Sequence, residues 1–169
     1  MKNALYKLAM DGLVEVIPNK GYVVREYSIK EIIEITQARE VIEGLAAKLA
    51  CERLKPDDLA YIRTLFPETE PDVPPEITEE IREDGEKLHR LLILKSGNSV
   101  IADLLSRFAN QIAQTSAMVS MLPDRKAEAY YEHIKLARAL LARDAAGAEA
   151  CMREHLANQR LALLKGLLF

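Results

Sequence analysis

The sequence predicts an all-α protein, an antiparallel six-helix bundle over residues 27–169 preceded over residues 1–26 by a short helix and a β-hairpin. Three observations predict it. From Ser28 onward apolar residues recur at the three- and four-residue spacing of a helix face. The connections between the last four segments are short, which makes neighbouring helices antiparallel. The β signal is confined to one stretch, LVEVIPNKGYVVRE at 13–26.

Each element has its own local cause. MKNALYKLAMD at 1–11 reads as the end of a helix stopped near Gly12. Two β-rich runs follow, joined by PNKG, a hairpin turn in which Asn19 and Gly21 tolerate positive φ. SIKE is a capping box, with Ser28 and Glu31 exchanging hydrogen bonds across the first turn of a long helix. Its Ile29, Ile32, Ile35, Ile42, Leu45 and Leu49 share the helical period. Pro56 starts a short second helix to about Phe66, and PETEPDVPPE, with four of the seven prolines, is then a stiff loop. A third helix runs from about Ile77 to Lys95 and is closed by SGN. Asn98 caps a fourth to about Met121, Pro123 starts a fifth, and Asp144 caps a sixth that runs nearly to Phe169.

Composition bounds the function. The 169 residues, 49% of them hydrophobic, suffice for a buried core. A net charge of −3 supplies no overall basic field for nucleic acid. Cys51 and Cys151 form no CxxC pair, no signal peptide precedes them, and no apolar run approaches the roughly 20 residues that span a bilayer. The expectation is a soluble, cytoplasmic protein without a membrane partner.

The stretch EHIKLARALLARDAAGAEACMREHL at 132–156 holds two of the three histidines. His133 and His155 stand equally far from Asp144, so in an antiparallel hairpin their imidazoles lie at one height. His89 is in mid-helix beside Leu88, Leu91 and Leu92. Three ordinary histidines at a core edge are one reading. A divalent-ion site is the other, since neutral imidazoles suit zinc or nickel.

Several motifs together resemble a known family. ALYKLAMDGLVEVIPNKGYVV resembles the end of the recognition helix and the wing of GntR-type winged helix-turn-helix regulators. AREVIEGLAAKLACERL, LHRLLILKSGN and the histidine-bearing stretch above resemble the helical effector-binding FCD domain of the FadR subgroup. The resemblance spans nearly the whole chain. It implies a ligand-responsive bacterial transcription factor that acts as a homodimer, with a bundle that binds a small carboxylic acid beside a divalent metal held by one Asp and three His. By position the histidines fall on His89, His133 and His155, and the Asp falls on Gly85. In the family, further helices precede the segment matching residue 1. Lys2, Asn3 and Lys20 are thus the remnant of a DNA-binding surface, and DNA is expected as a partner only through a complete winged helix.

Glycine at position 85 leaves the fourth ligand open. Helical rotation of about 100° per residue sets Glu86 about 60° from the direction of His89 and Asp84 about 140° away. A regular helix favours Glu86. A one-residue bulge at Gly85 brings Asp84 round, and Asp84 is the preferred expectation because mid-helix glycine costs about 1 kcal/mol. Water is the third possibility. Arg39 and Glu43, one turn apart, are either a structural ion pair or, for Arg39, a fork for the effector carboxylate. In RFANQIAQTSAMVSM, Asn110, Gln111 and Gln114 interrupt an apolar helix as a solvated face or as effector contacts. A hydrolytic three-histidine zinc site and a ligand-free dimerisation module are the competing classes. No nucleophile motif supports the former.

Overall fold

The computed structural model describes residues 2–10, 14–18, 20–25, 27–72 and 75–168. Helix α1 (Lys2–Met10) leads into strands β1 (Val14–Ile17) and β2 (Gly21–Val24). The strands pair antiparallel with Val14 opposite Val24 and Ile17 opposite Gly21. Gly21 has φ of 92°, the left-handed backbone that the turn requires and that glycine adopts without steric cost. Asn19 and the helix stop at Gly12 lie outside the described residues.

Seven helices follow: α2 (Ile29–Arg53), α3 (Pro56–Leu65), α4 (Glu79–Lys95), α5 (Ser99–Arg107), α6 (Ala109–Ser120), α7 (Pro123–Leu141) and α8 (Ala145–Leu168). Their starts have visible causes. The Ser28 hydroxyl accepts from the Glu31 amide, and the Glu31 carboxylate accepts from the Ser28 amide at 2.9 Å. Asn98 Oδ1 accepts from the amides of Val100 and Ile101, and Asp144 Oδ1 accepts from Gly147 N at 2.8 Å. Pro56 and Pro123 occupy first-turn positions, where a missing N–H costs nothing. Helix α4 starts at Glu79, two residues later than the periodicity suggests, because extended Thr78 caps it and accepts from the Ile81 amide.

One expected helix is two. The segment from Asn98 to Met121 breaks at Phe108, whose φ of −101° and ψ of 9° leave α geometry. Its amide bonds back to Leu105, and α6 restarts at Ala109.

The core lies among α2, α3, α4, α7 and α8. Ile62 and Phe66 of α3 and its cap, Leu88 and Leu92 of α4, Ile134, Leu136 and Leu140 of α7, and Met152 and Leu156 of α8 are all buried. Helices α2 and α8 form the most extensive pair, and the small residues Ala47 and Ala50 of α2 and Ala148 of α8, which share the core cluster, are fully buried. Small side chains bring helix axes close, and close packing of whole faces contributes most of a helix's stability in a protein. Arg25 ties the hairpin to the bundle through Glu15 and, at 2.6 Å, Glu31. Among the described residues no helix is long and apolar enough to cross a membrane.

Candidate metal and effector site

The three histidines come from three helices and meet. Helix α4 carries His89, α7 carries His133 and α8 carries His155. The rings of His133 and His155 have centroids 4.5 Å apart, so the two imidazoles do stand level across the α7–α8 hairpin. His89 lies 5.2 Å from His155 and 5.4 Å from His133 by the same measure. One ring nitrogen from each lies within 4.8 Å of the others.

Two carboxylates, Glu43 buried and Glu132 partly buried, orient two of the rings. Glu43 Oε2 is 2.6 Å from Nδ1 of His89, and Glu132 Oε2 is 2.7 Å from Nδ1 of His155. A carboxylate at that distance accepts the Nδ1 proton, which turns Nε2 and its lone pair to the opposite side. Each carboxylate is in turn held by an arginine. Arg39 Nε donates to Glu43 Oε1 at 2.7 Å, and Arg125 Nη2 donates to Glu132 Oε2. Asn158 takes the other Glu132 oxygen at 2.8 Å. Burial pushes the Glu43 carboxyl up, but the charges of Arg39 and His89 and their hydrogen bonds hold it well below the usual carboxylate range. His133 and His155 are held well below the ordinary imidazole value, first by burial and then by the neighbouring rings and Arg125. His133 and His155 are therefore held toward the neutral form, the form that ligates metals.

The donor set fits a small divalent ion. Nε2 of His89 and Nε2 of His133 are 3.3 Å apart. Two nitrogens about 2.0–2.1 Å from a tetrahedral ion lie about 3.3–3.4 Å from one another. Neutral nitrogen donors with carboxylates behind them are also the surroundings that zinc and nickel favour.

The bulge expected at Gly85 is absent, and neither Asp84 nor Glu86 joins the histidine cluster. Helix α4 runs unbroken from Glu79 to Lys95, with no bulge at Gly85. Asp84 therefore stays on the other side of the helix and is ion-paired with Lys87 at 2.7 Å. Glu86 does line the cavity beside His89, but its carboxylate is engaged by Arg82 and Arg90 and stands outside the histidine cluster. Gly85 has a different reason to be glycine. A Cβ there would meet Cε1 of His133 at 2.6 Å and Nδ1 at 3.0 Å, so the bare helix face makes room for the His133 ring.

A cavity of about 120 Å³ opens beside the cluster. Arg39, Arg125, Gln159 and the three histidines line it, with Ser116 and Val119 of α6 opposite. A second cavity of about 420 Å³ lies on the far side of Arg39, Glu43 and His89, among Ile93, Leu105 and Ile112. Of the residues expected to contact an effector, Arg39 lines both cavities, 5% exposed, with Nη1 buried and lacking a hydrogen-bond partner. Asn110, Gln111 and Gln114 line neither cavity. The face of α6 turned to the cavities is Ile112, Ser116, Val119 and Ser120, which share the helical period, and the three amides are rotated off it. Lys20 is exposed in the hairpin turn, and the side chains of Lys2 and Asn3 lie outside the described residues.

Sequence reasoning missed Glu132 and Arg125. Their seven-residue separation, two turns along one helix face, was the available signal. It does not say which histidine they serve.

The comparisons with known proteins agree with the architecture. The FCD domain model matches residues 34–158. The HTH-type transcriptional repressor GlaR of Escherichia coli (strain K12) is 28% identical over 168 residues, covering 92% of this chain and 74% of that protein. The Nta operon transcriptional regulator of Aminobacter aminovorans is 25% identical over 140 residues, covering 75% and 67%. Among solved structures, E. coli McbR/YncC superposes with a TM-score of 0.80 at 21% identity, over 98% of this chain and 84% of that one. Streptococcus agalactiae GntR superposes with a TM-score of 0.58 at 18% identity, over 94% and 79%.

Proposed function

Since the chain belongs to the FCD-domain transcriptional regulators of the GntR family, we propose that its helical part, residues 27–169, is a metal-assisted sensor of a small carboxylic acid. In this reading residues 1–26 belong to a winged helix, of the FadR subgroup, through which a homodimer in the cytoplasm contacts DNA. The observation that carries the proposal is the histidine cluster itself. Two of its three rings have Nδ1 committed to carboxylates, an arrangement that would direct Nε2 toward a shared ion.

His89, His133 and His155 would hold the ion, with zinc or nickel the best match to the donors. A divalent ion with three protein ligands offers an open coordination position to an effector oxygen. Arg39 lines the same cavity as the three histidines with an unpartnered Nη1, suited to a carboxylate. Effector binding regulates DNA only if it favours one arrangement of the dimer over another, and it shifts DNA affinity by no more than that difference. The relatives are transcriptional regulators rather than enzymes.

Metal analysis of protein purified without an affinity tag tests the proposal, with near one ion per chain expected. His133→Ala should lower the metal content and the unfolding temperature, because a bound ion stabilises only the folded state. Unchanged metal content in that variant would sink the site. Light scattering decides the dimer.

A further inference from the structure

Helix α6 differs from the other helices of the bundle in how little holds it. Among the described residues the buried apolar side chains come from α2, α3, α4, α5, α7 and α8 and from the residues that cap them, and none comes from α6. Ile112 is only partly buried, against the small cluster of Ala46, Ile101 and Leu105. The 12 residues of α6, ANQIAQTSAMVS, carry no charge, so no ion pair ties the helix to a neighbour. Ion pairs do tie the others: Lys48 with Glu149 and Arg160 with Glu40 join α2 to α8, and Lys95 with Asp58 joins α4 to α3. The hydroxyls of Thr115 and Ser120 bond back to carbonyls of α6 itself. A helix of this length is marginal without a packed face, and segments with few buried apolar contacts are the ones that open locally. The buried Oε1 of Gln111 has no hydrogen-bond partner, and opening would give it water.

The position of α6 gives that looseness a use. Ile112 and Ala113 line the larger cavity, Val119 and Ser120 line the smaller one, and Ser116 lines both, as do Arg39, Glu86 and His89. The two cavities therefore adjoin under the middle of α6, beside one histidine of the cluster. Of the helices that line them, α6 is the one that can move without carrying a core side chain with it. Its ends suit hinges. Phe108, with φ of −101° and ψ of 9°, separates α6 from α5 without a side-chain cap. At the other end the amides of Met121 and Leu122 bond only three residues back, and Pro123, which has no amide hydrogen, begins α7.

We propose that α6 is the gate of the site, swinging about Phe108 and the turn at 121–123 so that the two cavities join and the ion and effector pass beneath it. The inference rests on the sensor reading given above and adds the route by which the site is filled. The first turns of α4 are the competing gate, since Ile81 and Arg82 also line the smaller cavity. They are better anchored: Ile81 packs against the main core and the Thr78 hydroxyl caps its amide.

Hydrogen exchange of the metal-free full chain, read by mass spectrometry, tests the opening. Amides of 113–120 should exchange at least tenfold faster than those in the middle of α2, α7 and α8. Equal protection, or fast exchange confined to the start of α4, would overturn the gate. Ala117→Gly tests the passage. Ala117 is exposed and lines neither cavity, and glycine there should raise the open fraction about fivefold. Zinc uptake and zinc release to excess chelator should then both quicken about fivefold, with zinc affinity within twofold of wild type. A gate changes both rates together, whereas a weakened site changes release and affinity. Ala150→Gly, at an exposed position of α8, should leave both zinc rates within twofold. Unchanged rates in Ala117→Gly, or equal acceleration in Ala150→Gly, would overturn the gate and leave the sensor reading intact. If no zinc binds, the metal reading falls, and the exchange of α6 still decides whether it opens.

Discussion

Gly85 lacks a side chain because the edge of the His133 ring stands where a Cβ would be. Alanine at that position gains about 1 kcal/mol of helix propensity but must displace a buried ring. Overpacking of that kind costs roughly 1–3 kcal/mol. Gly85→Ala is therefore expected to be neutral to destabilising by about 2 kcal/mol in urea unfolding of metal-stripped protein, and to weaken metal binding because His133 is pushed from its place. A clear stabilisation would show that the ring moves freely. Glu43 is the other decisive residue. Both of its oxygens are used, one by Arg39 and one by His89, and it is 3% exposed. Removing its charge leaves Arg39 buried without a counter-ion, which typically costs 3–5 kcal/mol, and loosens a ligand whose carboxylate partner is commonly worth about 10–100-fold in metal affinity. Glu43→Gln should show both losses in thermal unfolding and zinc titration. Unchanged zinc affinity would mean that Glu43 does not orient His89.

At the scale of the element, α6 is the instructive case. Its polar residues promised an effector face, yet the side turned inward is Ile112, Ser116, Val119 and Ser120. Thr115 is buried and satisfies its own hydroxyl on the Gln111 carbonyl at 2.9 Å. Gln114→Ala is expected to leave acid binding within about twofold of wild type. Ser116→Leu, which puts bulk between the two cavities, should reduce it at least tenfold by isothermal titration. The opposite ranking would place the effector against the other side of α6. The break at Phe108 belongs to the same scale. The apolar pattern continued through it, and only a local departure in φ and ψ ends one helix and begins the next.

For the whole molecule the buried pair His133 and His155 sets the acid side of stability. Burial and neighbouring positive groups depress His133 and His155 in the folded state, whereas in the unfolded chain they titrate near 6.5. Below that value the unfolded chain binds protons that the folded chain refuses, so stability is full above about pH 6.5 and falls as the pH drops toward the depressed folded values. Two such groups give a slope of at most about 2.7 kcal/mol per pH unit. The unfolding temperature of metal-stripped protein should accordingly fall between pH 7 and pH 5. A flat profile over that window would mean that the rings are solvated or paired when charged. Zinc-loaded protein should unfold at higher temperature than stripped protein at pH 7 and lose more of that advantage on acidification, because its ligands must stay deprotonated.

The sequence by itself determined what local hydrogen bonds and periodicity control. Ser28 with Glu31, Asn98 and Asp144 each announce a helix start through a bond made within a few residues, and each makes it. The equal spacing of His133 and His155 about Asp144 was enough to bring them level, because one tight turn fixes the register of a helical hairpin. The motifs of α2, α4 and the α7–α8 hairpin carried the family. Tertiary structure alone decided the partners. Glu43 reaches His89 from another helix, and Glu132 serves His155 across the hairpin rather than its own neighbour His133. Glycine at 85 looked like a flaw in a helix, and the reason for it lies on α7. Such pairings depend on how far each helix is rotated about its axis when it packs. That rotation is settled by the fit of whole faces against one another, for which residue spacing along a single helix supplies no coordinate.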